Sequence, residues 1–159
     1  MRILVFSDSH GNRRAMEHAV REQPTAEIIL FLGDGAEEAS EVQAALPKGK
    51  MMCMVRGNND WCCSALDSDV LTVENKRIFF THGHLLGVKY GLYQAVCAAR
   101  SKEADILLFG HTHQSRMDYD DGLYIMNPGA LSHSWNGAPS YGTIDLTPAG
   151  ILMNIVELQ

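Results

Sequence analysis

Five short apolar runs in this chain each end, within a few residues, on Asp, His or Asn beside a glycine: Asp8-Ser9-His10-Gly11, Gly33-Asp34-Gly35, Gly57-Asn58-Asn59-Asp60, His82-Gly83-His84 and Gly110-His111-Thr112-His113. A strand delivers its last residues to one edge of its sheet, so five such strands laid in parallel bring these side chains to a single rim. Asp8, Asp34, Asn58, His82 and His111 follow one another at intervals of 26, 24, 24 and 29 residues. Each interval has the length of a strand, a crossover and the next strand, because a parallel connection needs a dozen or more residues. Such crossovers are nearly always right-handed, which keeps the strand ends on one side.

The segments between these points fit that plan. Asn12 reads as a helix cap, and Ala15, Met16, Ala19 and Val20 form an apolar stripe that Pro24 ends. A strand over Ile28 to Leu32 leads to Asp34, a helix is expected from Ala36 to Leu46 before Pro47, and Met51 to Val55 is the third strand. Leu71 to Val73 and Arg77 to Phe80 read as a hairpin about Glu74-Asn75-Lys76. Leu92 to Arg100 is helical by its Leu92, Ala95, Val96 and Ala99 face, and Ile106 to Phe109 is a strand. Strands near Arg116 to Tyr119, Leu123 to Met126, Tyr141 to Leu146 and Ile151 to Leu158, separated by turn residues, read as an antiparallel meander. Two sheets face to face with helices outside give an α/β fold, a four-layer α-β-β-α sandwich.

A chain of 159 residues suits one domain over 1–159. Its net charge of −6 excludes a general nucleic-acid or membrane-surface binder, so an anionic substrate must be attracted locally. No apolar run approaches the roughly 20 residues a bilayer span needs. Met1 to Phe6 leads straight into Ser7-Asp8 and reads as a core strand, not a signal peptide. A cytoplasmic protein is expected. Cys53, Cys62, Cys63 and Cys97 lack CxxC spacing and are expected to be reduced structural thiols.

Oxygen ligands from Asp8, Asp34 and Asn58 mixed with imidazoles from His10, His82, His111 and His113 suit Mn²⁺, Fe²⁺ or Zn²⁺ and disfavour calcium or thiolate chemistry. Seven candidate ligands are too many for one ion. Shared through a bridging carboxylate they suit two ions about 3.5–4 Å apart, the arrangement that clamps the attacking and leaving oxygens of an in-line displacement at phosphorus. Two carboxylates against two divalent cations leave about +2 of local charge to draw in phosphate. A coordinated water with its pKa lowered towards about 7 supplies hydroxide, so no serine or cysteine nucleophile is needed. Taken singly, each ligand is an ordinary turn residue or a hydrogen-bonded polar group; the inference rests on their joint placement.

The series DSH, GD, GNND, THGH and GHTH resembles the calcineurin-like metallophosphoesterase superfamily, and in particular its small YfcE-type phosphodiesterase branch. The resemblance covers nearly the whole chain. It implies one metal held by Asp8, His10 and His113, a second held by Asn58, His82 and His111, and Asp34 bridging them. It also implies two divalent ions, commonly Mn²⁺ with Fe²⁺, Zn²⁺ or Ni²⁺ as others, small phosphoester substrates, and a homo-oligomer such as a dimer or tetramer. Many relatives carry His directly after the metal-binding Asn, where this chain has Asn59. Asn59 is expected to donate to an oxygen that gains charge, and His84 to support the site or donate a proton.

Arg13, Arg14 and Arg56 are expected on solvated faces, His18 and His133 at the surface, Asp60 orienting a ligand or capping a turn, and Trp61 lining the pocket or packing. Two other functions fit the same residues: a non-catalytic metal-binding scaffold similar to the retromer subunit, and a phosphoprotein phosphatase.

Overall fold

The computed structural model describes residues 1–132 and 137–158; His133 therefore lies outside the described residues. The chain folds into two mixed five-stranded sheets with helices outside. The first sheet contains β1 (Arg2–Phe6), β2 (Ala26–Phe31), β3 (Met51–Met54), β9 (Ser140–Thr147) and β10 (Gly150–Glu157), in the order β10-β9-β1-β2-β3. The second contains β4 (Ser68–Val73), β5 (Lys76–Thr81), β6 (Ile106–Leu108), β7 (Arg116–Asp120) and β8 (Leu123–Asn127), in the order β4-β5-β6-β8-β7.

The four layers follow from alternation along the strands. Side chains of successive strand residues point to opposite faces, so Ile3 and Val5 of β1 join Ile28, Leu30, Ile78, Phe80, Ile106, Leu108 and Ile144 between the sheets. Leu4 and Phe6 turn the other way and pack with Met16 and Ala19 of α1 (Arg13–Glu22) and Ala39 and Val42 of α2 (Ala36–Ala44). On the outer face of the second sheet, Phe79, Leu107 and Ile125 cover Ala95 and Ala99 of α3 (Tyr93–Ser101). The expected α1 is present with its cap, since Asn12 Oδ1 accepts the Ala15 N–H at 3.2 Å.

Two expectations are corrected. The five ligand-bearing strands do not share one sheet: β1, β2 and β3 are parallel in the first sheet, β5 and β6 parallel in the second. The 24 residues from Asn58 to His82 therefore change sheets and pass through β4, which pairs antiparallel with β5. The last four strands are not one meander either. The β7–β8 hairpin joins the second sheet, where β8 runs parallel to β6, and the β9–β10 hairpin joins the first beside β1. Local apolar pattern sets a strand's faces but not its partner, and here hairpin arms of the same pattern complete different sheets. The β4–β5 turn is tighter than expected, with only Glu74 and Asn75 unpaired, both at positive φ (48° and 58°) as a type I′ turn requires.

No helix among the described residues is long and apolar enough to cross a membrane. Among the described residues the cysteines are unpaired, with Cys62 and Cys97 exposed.

Candidate metal centre

The carboxyl ends of β1, β2, β3, β5 and β6 meet at one edge of the two sheets, where the connecting loops are tied directly to one another. Asp8 N donates to Gly33 O at 2.9 Å, His10 N to Asp34 O at 3.2 Å and Gly110 N to His82 O at 3.2 Å. His82, fully buried, crosses between the sheets by donating from Nδ1 to Leu32 O at 2.9 Å. A carbonyl only accepts, so Nδ1 carries the proton and in the neutral ring Nε2 presents a lone pair to the cluster. That nitrogen stands 3.1 Å from Asn58 Oδ1 and 3.1 Å from His111 Nδ1.

The candidate ligands fall into two groups, Asp8 with His10 and His113, and Asp34 with His82 and His111, each with donor atoms within 4.8 Å of one another. In the first, His113 Nε2 lies 3.1 Å from Asp8 Oδ1 and 3.2 Å from His10 Nε2, and His10 Nε2 lies 3.8 Å from Asp8 Oδ1. In the second, His82 Nε2 lies 3.5 Å from Asp34 Oδ2, and that same oxygen is 4.0 Å from His10 Nε2 of the first group. Asp34 thus stands between the two. Donors bound about 2.0–2.2 Å from one ion sit about 2.8–3.6 Å apart, so most of these separations are those of a shared ion. Asp8, Asp34 and His82 form a buried floor, while His10, Asn58, His111 and His113 reach solvent.

The polar bookkeeping around Asp8 points the same way. Its Oδ2 accepts from Ser7 Oγ at 2.5 Å and His111 N at 3.1 Å, while its buried Oδ1 faces the imidazoles, 3.1 Å from His113 Nε2 but with no aligned hydrogen-bond donor. A buried anionic oxygen without a donor is costly, and a divalent cation among these donors would remove the cost. Burial pushes the Asp8 carboxyl up, but His113, His82 and Ser7 outweigh it and hold it below the usual carboxylate range. Burial and then the His82 ring press His111 down to about 4, so its imidazole is neutral and free to ligate. The Asp8 contact raises His113.

Backbone strain is concentrated here. Asp8, His10, Asp34, His111 and His113 all have positive φ, between 40° and 67°, a conformation that costs a non-glycine residue of order 1–2 kcal/mol. Two glycines make room for the carboxylates. A Cβ on Gly57 would overlap the Asp34 carboxylate, and one on Gly110 would overlap Ser7 Oγ and come within 2.9 Å of Asp8 Oδ2.

Asn59 donates to Asp34 through both its backbone N–H (2.8 Å, to Oδ1) and its amide (2.6 Å, to Oδ2). Its side chain is thereby engaged with Asp34. His84 begins a single 3₁₀ turn (His84–Leu86), its ring 5.3 Å from that of His82 and 6.1 Å from that of His111, with a buried Nδ1 that has no partner. Asp60 caps a turn and more, because its carboxylate accepts the N–H groups of Asp34, Gly35, Ala36 and Gly57 at 2.7–2.9 Å. Burial raises its carboxyl, and those four bonds outweigh burial and lower it. Arg13 pairs with Glu17 and Glu41 and Arg56 with Asp67, while Arg14 and His18 are exposed. Trp61 is 87% exposed at the rim.

Sequence reasoning misses Asn127. Fully buried at the end of β8, it donates to Gly110 O and Thr112 Oγ1 at 3.0 Å each and accepts from Gly129 N at 2.9 Å, which fixes the loop carrying His111 and His113. A signal for it exists. Leu123 to Met126 is a sixth apolar run ending on Asn near a glycine, and β8 is parallel to β6.

Residues 1–148 match the calcineurin-like phosphoesterase superfamily domain. The chain belongs to this superfamily. A probable metallophosphoesterase, YsnB of Bacillus subtilis, is 31% identical over 132 residues, 82% of this chain and 75% of its own. Phosphodiesterase YfcE of Escherichia coli K12 is 28% identical over 173 aligned positions, 91% of this chain and 88% of its own. A predicted phosphoesterase structure from Streptococcus pneumoniae superposes with a TM-score of 0.81 at 24% identity, covering 98% of this chain and 88% of that one. A structure of wild-type Vps29 with zinc from Entamoeba histolytica does so with a TM-score of 0.75 at 20% identity, covering 99% of each. These two likenesses establish the fold, whose two mixed sheets and flanking helices are those of the metallophosphoesterases.

Proposed function

We propose that this chain, as a single domain over 1–159, is a dinuclear metal-dependent phosphodiesterase acting on small phosphoesters. The observation that carries the reading is that two carboxylates and four imidazoles, with Asn58 Oδ1 beside them, gather at one space into which Asp8 Oδ1 faces and where His82 Nε2 is held inward by the Leu32 contact. Asp8, His10 and His113 would hold one divalent ion, Asn58, His82 and His111 the other, with Asp34 between them. When bound, such ions, Mn²⁺ first among the candidates, supply hydroxide at neutral pH and stabilise charge developing on phosphate oxygens. The protein's part is positioning: Ser7 and the His111 N–H orient Asp8, Asn59 orients Asp34, and Leu32 orients His82. The names of YsnB and YfcE support hydrolysis, and that of YfcE supports diesters.

The test is hydrolysis of bis(4-nitrophenyl) phosphate by metal-stripped protein before and after Mn²⁺ is added. Turnover restored by the metal is expected. Two Mn²⁺ bound per chain with no turnover of any ester would overturn the reading in favour of a metal-binding scaffold, the alternative raised by the likeness to Vps29.

Two residues have separable roles. Asn59→Ala removes one donor to Asp34 and should weaken Mn²⁺ binding about 10- to 100-fold, as loss of a group that orients a ligand does; calorimetric titration measures this without catalysis. His84→Gln should slow alkyl diesters about a hundredfold while leaving 4-nitrophenyl esters, whose leaving group needs no proton, much less affected. Equal slowing of both would assign His84 to structure.

A further inference from the structure

Two clefts meet at His10, and they carry opposite charge. One, of about 1010 Å³, opens beside His10, His111 and His113, and its fully charged lining residues are Lys89 and Arg116, with no carboxylate among the described residues that line it. The other, of about 760 Å³, opens beside Asp34 and Asn59, and its charged lining is Glu37, Glu38, Asp34 and Asp60, with no Lys or Arg among the described residues that line it. Trp61 stands on that side.

Lys89 is well placed to matter. It is exposed on the segment between the 3₁₀ turn and α3, directly after the buried Val88, and it lines the same cleft as His111 and His113. Arg116 shares its charge with Asp118, which makes Lys89 the stronger of the two cations. In a chain of net charge −6, a cationic cleft on one flank of the candidate centre and an anionic one on the other distinguish the two arms of any diester lying across it.

Building on the phosphodiesterase reading, we infer that the substrate is an unsymmetrical phosphodiester with a second anionic group on one arm. That arm lies along the Lys89 and Arg116 cleft. The arm towards Trp61 bears no negative charge, because Glu37 and Glu38 would repel it. Lys89 is then a specificity-determining residue, gripping the substrate away from the scissile bond.

The experiment compares three 4-nitrophenyl alkyl phosphates with the same leaving group, whose alkyl arm ends in a hydroxyl, a carboxylate or a phosphate, hydrolysed by the Mn²⁺-loaded full chain. Since the leaving group is constant, differences in kcat/KM report binding of the other arm. The anionic arms should be favoured about tenfold over the hydroxyl at low ionic strength, the sum of two exposed ion pairs, and the preference should shrink with added salt. The larger of the carboxylate and phosphate effects identifies the anion. Lys89→Glu should reverse the preference, whereas Lys48→Glu, an equal charge change on the turn before β3, should keep it. Equal kcat/KM on all three esters, or a preference untouched by Lys89→Glu, overturns the inference and leaves metal-dependent hydrolysis standing. No turnover of any ester overturns the phosphodiesterase reading itself, and this inference with it.

Discussion

Asp34→Asn is expected to abolish Mn²⁺-dependent diester hydrolysis, by about 10³-fold or more, without unfolding the protein. Asp34 Oδ2 is the oxygen placed between the groups, 3.5 Å from His82 Nε2 and 4.0 Å from His10 Nε2. An amide offers one neutral oxygen where the carboxylate offers two charged ones: with its oxygen at the Oδ2 position it turns an NH₂ towards the Asn59 N–H, and with its oxygen at the Oδ1 position it turns an NH₂ towards both groups and the Asn59 amide. Loss of one preorganised charge-stabilising group already costs about 10²–10³ in rate, and loss of a carboxylate placed between both candidate groups costs more. The stability of the metal-free protein should move the other way. Asp8 and Asp34 are buried carboxylates facing one space, and removing one charge relieves that repulsion. A gain of about 1 kcal/mol, or roughly 2–4 °C in Tm, is expected without metal. Added Mn²⁺ should raise Tm in the wild type through linkage and fail to do so in the variant. A large fall in metal-free Tm would instead mark the Asp34 carboxylate as structural.

Much of this site is legible in the amino-acid sequence, for a specific physical reason. Apolar runs of strand length have side chains on alternating faces, and the residue that follows each run is delivered to a sheet edge whatever the strand's neighbours are. Asp8, Asp34, Asn58, His82 and His111 can thus be assigned to one rim although the strands that carry them divide between two sheets. That division is not legible, because β1 and β5 present the same local pattern and pairing is decided by contacts far along the chain. The supports are hidden for the same reason. Asp60 acts on residues 24 to 26 positions before it as well as on Gly57, His82 finds the Leu32 carbonyl 50 residues away, and Asn127 braces a loop 15 to 17 residues earlier. The left-handed backbone of five candidate ligands runs against residue preference. Local propensity favours glycine there, so the conflict is visible only once φ is known.

Asp60→Ala should produce the largest loss of stability among the polar residues that support the candidate ligands. One carboxylate serves four backbone N–H groups, two per oxygen: Gly35 and Ala36 on Oδ1, Asp34 and Gly57 on Oδ2. It stands in for the side-chain cap that α2 lacks, because Gly35 occupies the N-cap position, and it is anionic at a helix N-terminus, where charge is favoured. Hydrogen bonds to a charged group contribute about 1.5–3 kcal/mol each when buried, but these four share one half-buried acceptor and water can reach part of it. A loss of about 3 kcal/mol is expected, or roughly 6–12 °C in Tm for a domain of this size. The effect should extend to the metal. Asp34 and Gly57 are tied to the same carboxylate, and Gly57 directly precedes Asn58, so releasing them loosens Asn58 beside His82 and Asp34 between the two groups. Mn²⁺ affinity measured below the variant's Tm should therefore fall as well. Asp60→Asn separates the two consequences: its single oxygen keeps two of the four N–H groups and turns an NH₂ towards the other two. If that oxygen takes the α2 side, the helix retains its cap while the Asp34 and Gly57 loops lose theirs. Stability should then recover in part while Mn²⁺ affinity stays low. If Mn²⁺ affinity were unchanged in both variants, Asp60 would serve the helix alone and the strained Asp34 turn would have to be held by Asn59.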